Sequence, residues 1–112
     1  MRLPDGLQMS SLNGILAELR LELSRLWGAE LLDLYLLGSA RSASESTVDA
    51  DTVAVMSDAT SQLEFARRVA PVITRHSRRS ECLLTCFPVR RTEFEQNASQ
   101  FIRNVHEFGI KL

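Results

Sequence analysis

Residues 34–56 constrain the fold more than any other part of this sequence. They read LYLLGSARSASESTVDADTVAVM, with two apolar runs on either side of a polar, serine-rich stretch. The first run is short and ends at Gly38, and the second contains threonine and valine residues, whose branched side chains favour extended backbone. The segment therefore predicts two β-strands joined by a loop over residues 40–48.

Helical periodicity precedes these strands. Apolar residues recur at three- and four-residue spacing from Ser10 or Ser11 to Trp27, which predicts an amphipathic helix that ends at Gly28.

The second half of the chain continues the alternation. A helix is predicted from its N-cap at Asp58 to about Arg75, with a kink or a break at Pro71. The run ECLLTCFPV, residues 81–89, predicts a third strand. One or two short helices, ending at Gly109, follow.

The predicted order is helix, strand, loop, strand, helix, strand and helix, which indicates an α+β fold with a small mixed β-sheet flanked by helices. The length of 112 residues fits a single domain over residues 1–112, and 45% hydrophobic residues are enough for a core. No apolar run approaches the roughly 18 residues of a membrane span, and residues 1–6 lack the features of a signal peptide. We therefore expect a cytoplasmic protein without a membrane partner.

The cysteines and arginines give weaker signals. Cys82 and Cys86 lie four residues apart on a predicted strand, about 13 Å from each other, so a disulfide between them is excluded. No cysteine or histidine spacing supports a zinc site. Residues 61–112 hold nine bases and five acids, and arginines gather at 75–79 and 90–91. They are either phosphate ligands or the solvated ends of a helix and a strand.

The two aspartates at the start of the second strand carry the strongest chemical signal. Asp49 and Asp51 project to the same side of an extended chain, where their charges repel unless a cation neutralises them. Such oxygen ligands suit Mg²⁺, which takes one or two carboxylates together with phosphates and water. Gly38 lets a phosphate approach the backbone, and Ser39 offers a hydroxyl. Each element alone is commonly structural, but their combination favours a function.

This segment resembles the nucleotidyltransferase superfamily that shares a DNA-polymerase-β-like fold, in particular its minimal nucleotidyltransferases. The family motif has an apolar residue, Gly and Ser, then nine to thirteen residues, then Asp, an apolar residue, and Asp or Glu. Here nine residues separate Gly38-Ser39 from Asp49-Ala50-Asp51. The preceding helix and the phenylalanine-rich tail also look like small bacterial members.

The resemblance implies transfer of a nucleoside monophosphate, AMP from ATP, to a hydroxyl acceptor with Mg²⁺. It implies that Gly38, Ser39 and Arg41 hold the triphosphate. By the same resemblance, Asp49 and Asp51 bind Mg²⁺ and take part in catalysis.

A third catalytic carboxylate separates two functional hypotheses. Family members carry it at a position that falls near Thr85, and Glu81, four residues earlier, is the only acidic substitute. If Glu81 serves, the chain is an active enzyme. The alternative is a catalytically degenerate binding protein of the same fold, acting as a non-enzymatic antitoxin or a dimeric scaffold.

The expected partner, beyond a nucleoside triphosphate, is another protein. Small bacterial members are often encoded beside a HEPN-type toxin, so the resemblance implies such a toxin, with a homodimer as the other possibility. Phe94, Phe101 and Phe108 recur every seven residues and predict an apolar stripe that covers the sheet or meets another chain. The net charge of −1 gives no support for a nucleic-acid partner.

Overall fold

The computed structural model describes the backbone of residues 5–41, 48–80 and 82–112. It describes the side chains of residues 12–38, 49–79 and 82–112. Within these ranges, no helix combines the length and the apolarity that crossing a membrane requires.

Helices and strands alternate through most of the described chain, as predicted. The helices are α1 (Asp5–Trp27), α2 (Gln62–Ser80), α3 (Arg91–Glu95) and α4 (Gln100–Phe108), with a 3₁₀ turn at Gly28–Glu30. The strands are β1 (Leu31–Arg41), β2 (Val48–Met56), β3 (Cys82–Arg90) and β4 (Ile110–Lys111).

The four strands form one mixed sheet in the order β3-β2-β1-β4. β1 and β2 pair antiparallel, β1 and β4 pair antiparallel, and β2 and β3 pair parallel. A parallel pair needs a crossover connection, and α2 supplies it between β2 and β3. The molecule is therefore an α+β fold with a small mixed sheet, as the sequence pattern predicts.

Helices α1 and α2 cover one face of the sheet. Their side chains meet every second residue of β2, because successive residues of a strand point to opposite faces. The buried residues of this layer fall in two adjoining clusters: Leu19, Leu23, Trp27, Leu34, Ala54, Met56, Phe65, Val69 and Val72, and then Leu12, Leu16, Ala50, Cys82 and Leu84. Trp27 stacks on Phe65 with ring centroids 5.3 Å apart, and the Arg68 guanidinium lies 4.4 Å from the Trp27 ring centroid.

The short helices α3 and α4 cover only part of the other face. Their buried cluster contains Val53, Val55, Val89, Phe94, Ile102 and Val105. The remaining residues of β2 on this face are the two aspartates, which lie outside that cluster. One half of this face is thus a core, and the other half, which no described helix covers, is its open half.

The first helix begins earlier than predicted and ends where predicted. The described part of α1 is helical from Asp5 rather than from Ser10 or Ser11, and residues 6–9 contain no proline that would interrupt a helix. Gly28 follows the last helical residue at φ 56°, a left-handed conformation that favours glycine and ends the helix.

The prediction that Asp58 caps α2 is wrong. The hydroxyl of Ser61 accepts from the backbone N–H of Glu64 at 3.2 Å and occupies the capping position. Asp58 instead accepts from the backbone N–H of Thr92 at 3.0 Å and from the Thr92 hydroxyl. These hydrogen bonds hold the pKa of Asp58 below its usual value. Asp58 therefore ties the loop before α2 to the start of α3.

Of the predicted kink or break at Pro71, the break is wrong, because α2 continues through Pro71 to Ser80; the kink stays a prediction. Proline removes the N–H that would bond the carbonyl of Arg67. Both residues lie on the exposed side of α2, where water can satisfy that carbonyl.

The tail forms two helices and an additional strand. Asn97 has a φ of 52° between α3 and α4, and the hydroxyl of Ser99 caps α4 by accepting from the N–H of Ile102 at 3.1 Å. This turn divides the predicted phenylalanine stripe, so Phe94 is buried while Phe108 is exposed. Beyond Gly109, the sequence analysis missed β4, which pairs with β1 over only two residues.

Replacing Phe65 with alanine tests the helix-covered core. Phe65 is fully buried, so Phe65→Ala should lower the free energy of unfolding by about 3 to 5 kcal/mol. Leu63→Ala, on the same helix with a side chain that is 71% exposed, should cost less than about 0.5 kcal/mol. Urea denaturation followed by circular dichroism measures both. Equal losses would mean that α2 packs by a different face.

Candidate functional site

The pleat of β2 separates its apolar residues from its aspartates. Ala50 and Thr52 are fully buried on the side of α1 and α2. Asp49 and Asp51 therefore point to the opposite side, where Asp49 is partly buried and Asp51 is exposed. The two carboxylates lie together on the open half of the sheet, as the two-residue spacing predicts.

Strand register brings Gly38 and Thr85 to either side of Asp51. Gly38 of β1 pairs with Asp51, and so does Thr85 of β3. The Thr85 hydroxyl donates to Oδ1 of Asp51 at 2.6 Å. The position at which the family resemblance expects a third acid thus adjoins the aspartate pair, and it holds a neutral hydroxyl.

Asp49 has the more unusual environment of the two aspartates. Its Oδ1 is buried, and none of the described residues forms a hydrogen bond with it. A buried carboxylate oxygen without a partner is costly, and a second carboxylate on the same face adds repulsion. A bound cation would offset both costs, so this oxygen fits a metal ligand.

The donor set favours a hard cation. Among the described side chains, no cluster brings together three or more histidine, cysteine, aspartate or glutamate residues. Two carboxylates suffice for Mg²⁺, which completes its coordination with water and phosphate oxygens. Asp49 and Asp51 could therefore hold Mg²⁺ beside a bound polyphosphate.

The cysteines lie on the other side of the sheet, as free thiols. Burial raises the pKa of Cys82, and the charge of Asp49 raises it further. Burial raises the pKa of Cys86 to about 11, although a hydrogen bond with Thr52 acts in the opposite direction. Both thiols are protonated at neutral pH, and a protonated thiol is a poor metal ligand. The prediction that they form no disulfide is confirmed.

Gly38 leaves open space opposite Asp51. Its backbone is outside the left-handed region, and a Cβ built on it would meet no atom of the described residues within 4 Å. The fold therefore does not require glycine at this position. A side chain there would instead fill space beside the carboxylates that a ligand can use.

Three predicted site residues lie wholly or partly outside the described residues. The backbones of Ser39 and Arg41 pair with Ala50 and Val48 of β2. The side chains of Ser39 and Arg41, and the whole of Glu81, fall outside the described ranges, so their predicted roles stay predictions.

The arginines of α2 do not join the aspartate site. α2 packs on the other face of the sheet, where Arg75 forms an ion pair with Glu22. Arg78 and Arg79 are exposed in the last turn of α2. Near the start of α3, Arg91 pairs with Glu95 at 3.8 Å. This arrangement favours solvated or ion-paired arginines over ligands of the predicted phosphate site.

The sequence analysis missed an aromatic residue beside the aspartates. Phe87 lies two residues beyond Thr85 on the same face of β3 and is 44% exposed. It contacts Phe101 of α4 with ring centroids 5.8 Å apart and an interplanar angle of 76°. Alternate residues of a strand point to the same face, so the two-residue spacing between Thr85 and Phe87 could have placed Phe87 on the aspartate face.

Comparison with known proteins adds no assignment. The chain matches no protein-family model, no curated protein and no solved structure. The functional interpretation therefore depends on the geometry around Asp49 and Asp51 and on the resemblance carried by residues 34–56.

Proposed function

We propose that this chain has a polymerase-β-like nucleotidyltransferase fold and transfers a nucleoside monophosphate from a triphosphate, ATP in the first instance, to a hydroxyl acceptor. The observation that carries the proposal is the buried Oδ1 of Asp49, which lies on the same face as Asp51 and has no hydrogen-bond partner among the described residues. The motif of residues 34–56 supports the same interpretation. The acceptor would be a protein partner of the HEPN-toxin type, or a molecule that such a partner supplies.

In this proposal each residue of the aspartate face has a distinct task. Asp49 and Asp51 hold Mg²⁺, which when bound neutralises charge on the transferred phosphoryl group and lowers the pKa of the attacking hydroxyl. The open space at Gly38 admits the phosphates close to the backbone of β1. Ser39 and Arg41 are proposed phosphate ligands by the family resemblance alone.

The position of Thr85 favours a second candidate function. Active family members are expected to carry an acid there, as a general base and a shared metal ligand. Here a hydroxyl donates to Asp51, and it cannot accept a proton as a carboxylate does. The second candidate is a domain that binds Mg²⁺ and nucleotide without transferring it, as a non-enzymatic antitoxin or a dimeric scaffold.

Calorimetric titration with ATP tests the site shared by both candidates. The wild type should bind ATP with Mg²⁺ and not with EDTA, because the carboxylates otherwise repel the phosphates. Gly38→Val should reduce the affinity at least about tenfold, or 1.4 kcal/mol, while leaving the melting temperature unchanged.

Gly14→Val is the matched control, since Gly14 of α1 is exposed and also has open space around it. It should keep the wild-type affinity for ATP. Wild-type binding that does not depend on Mg²⁺, or equal affinities of the Gly38 variant and the wild type, would place the nucleotide elsewhere.

Thr85→Asp distinguishes transfer from binding alone. If Thr85 makes the site inactive, the new carboxylate should raise the release of pyrophosphate from Mg·ATP by about a hundredfold, the low end of the range for a positioned base. Water takes the place of the hydroxyl acceptor in this assay, so AMP should appear in equal amount. Thr85→Asn, with the same shape and no charge, should give no increase. A wild type that already turns over, and slows in Thr85→Asp, would exclude the binding-only candidate.

A further inference from the structure

Phe87 is exposed although the adjoining part of the same sheet face is covered. Val89, two residues further along β3, is buried in the cluster under α3 and α4. Phe87 keeps 44% of its side chain exposed at the border between this cluster and the open aspartate half. Exposing much of an aromatic ring forgoes the free energy of burying it, so such a ring is available for a ligand.

The orientation of the Phe87 ring is fixed from one side. Phe101 meets it in an edge-to-face contact, with ring centroids 5.8 Å apart. Phe101 lies in the first turn of α4, which the Ser99 hydroxyl caps. A ring held in this way loses little further conformational entropy when a ligand stacks on it.

The strand register places Phe87 at a distance from the carboxylates that one nucleotide can span. Asp51 pairs with Thr85, and Val53 pairs with Phe87, so Phe87 is the diagonal neighbour of Asp51 on the same face. Parallel strands lie about 4.8 Å apart and rise about 3.3 Å per residue, so the two backbone positions are about 8 Å apart. A ribose linking a phosphate at Asp51 to a base can span such a separation.

We infer that Phe87, supported by Phe101, is a stacking platform for the base of the nucleotide whose phosphates lie at Asp49 and Asp51. The inference rests on the proposed nucleotide site and adds its base subsite. Aromatic rings on the surface of a β-sheet stack on bases in folds that bind RNA or single-stranded DNA. Stacking accepts every base, so the platform should prefer purines for their larger ring system and discriminate little between ATP and GTP.

The test compares ATP with inorganic triphosphate, both with Mg²⁺, in calorimetric titrations of the full chain. The wild type should bind ATP more tightly than triphosphate. Phe87→Leu keeps an apolar side chain but removes the ring, and should lower ATP affinity at least about fivefold while leaving triphosphate affinity unchanged. Phe87→Trp should keep or increase the affinity for ATP.

Phe108→Ala is the matched control, because Phe108 is an exposed phenylalanine at the far end of α4. It should bind both ligands as the wild type does. Equal binding of ATP by the wild type and Phe87→Leu overturns the platform, and so does an equal loss for both ligands. A change in self-association of Phe87→Leu without a change in ATP affinity would assign the ring to a protein interface instead.

Failure of the platform and failure of the site give different results. If the wild type binds triphosphate with Mg²⁺ but binds ATP no more tightly, the base subsite is wrong and the carboxylate site stands. If the wild type binds neither ligand, the proposed function is wrong and the base subsite with it.

Discussion

Two hydrogen bonds between β2 and β3 fix the register on which the aspartate face depends. On the side of the helices, the buried hydroxyl of Thr52 donates to the backbone carbonyl of Thr85 at 2.7 Å. On the opposite side, the Thr85 hydroxyl donates to Asp51 at 2.6 Å. A slip of one residue would exchange the two faces of β2 and carry the carboxylates into the core. The buried Ala50, Thr52 and Ala54 of β2, which face α1 and α2, therefore hold Asp49 and Asp51 on the open side.

The brevity of α3 and α4 keeps that side open. The turn at Asn97, with its positive φ, divides the tail into two short helices, and these bury Val53 and Val55 but not the aspartates. A continuous helix of the same length would follow a different path over the sheet. Among the described residues, the half-covered face combines three features: a buried carboxylate oxygen without a partner, open space at Gly38 and an exposed aromatic ring. None of these features stabilises the folded chain by itself. A ligand with a charged part and an aromatic part would contact all three.

Most of the fold was accessible from local sequence patterns, and the errors arose where tertiary contacts decide. Alternation and helical periodicity predicted β1 to β3 and the main helices. Asp58 has the chemistry of a cap, yet it bonds to Thr92, 34 residues away, which no local pattern indicates. β4 is two residues long and forms by pairing with the free edge of β1. An ion pair between Lys111 and Asp33, 3.0 Å apart, joins the same two strands.

The candidate site, like the fold, could be predicted from the sequence only in part. The two-residue spacing alone put Asp49 and Asp51 on one face, whereas the burial of Asp49 and the pairing of Asp51 with Thr85 depend on the parallel neighbour β3. Phe87 became part of the site only through that register. Local chemistry thus predicted the charged half of the site, and strand pairing determined its surroundings.

Binding of a divalent cation by the aspartate pair is most directly tested with Mn²⁺, whose paramagnetism broadens NMR signals near the ion. On titration into ¹⁵N-labelled protein, the amide signals of Asp49, Ala50, Asp51 and Thr85 should broaden first. Asp49→Asn should abolish this effect, and Asp33→Asn, the same charge change at the ion pair with Lys111, should retain it. Broadening that begins elsewhere, or that persists unchanged in Asp49→Asn, would contradict the metal site.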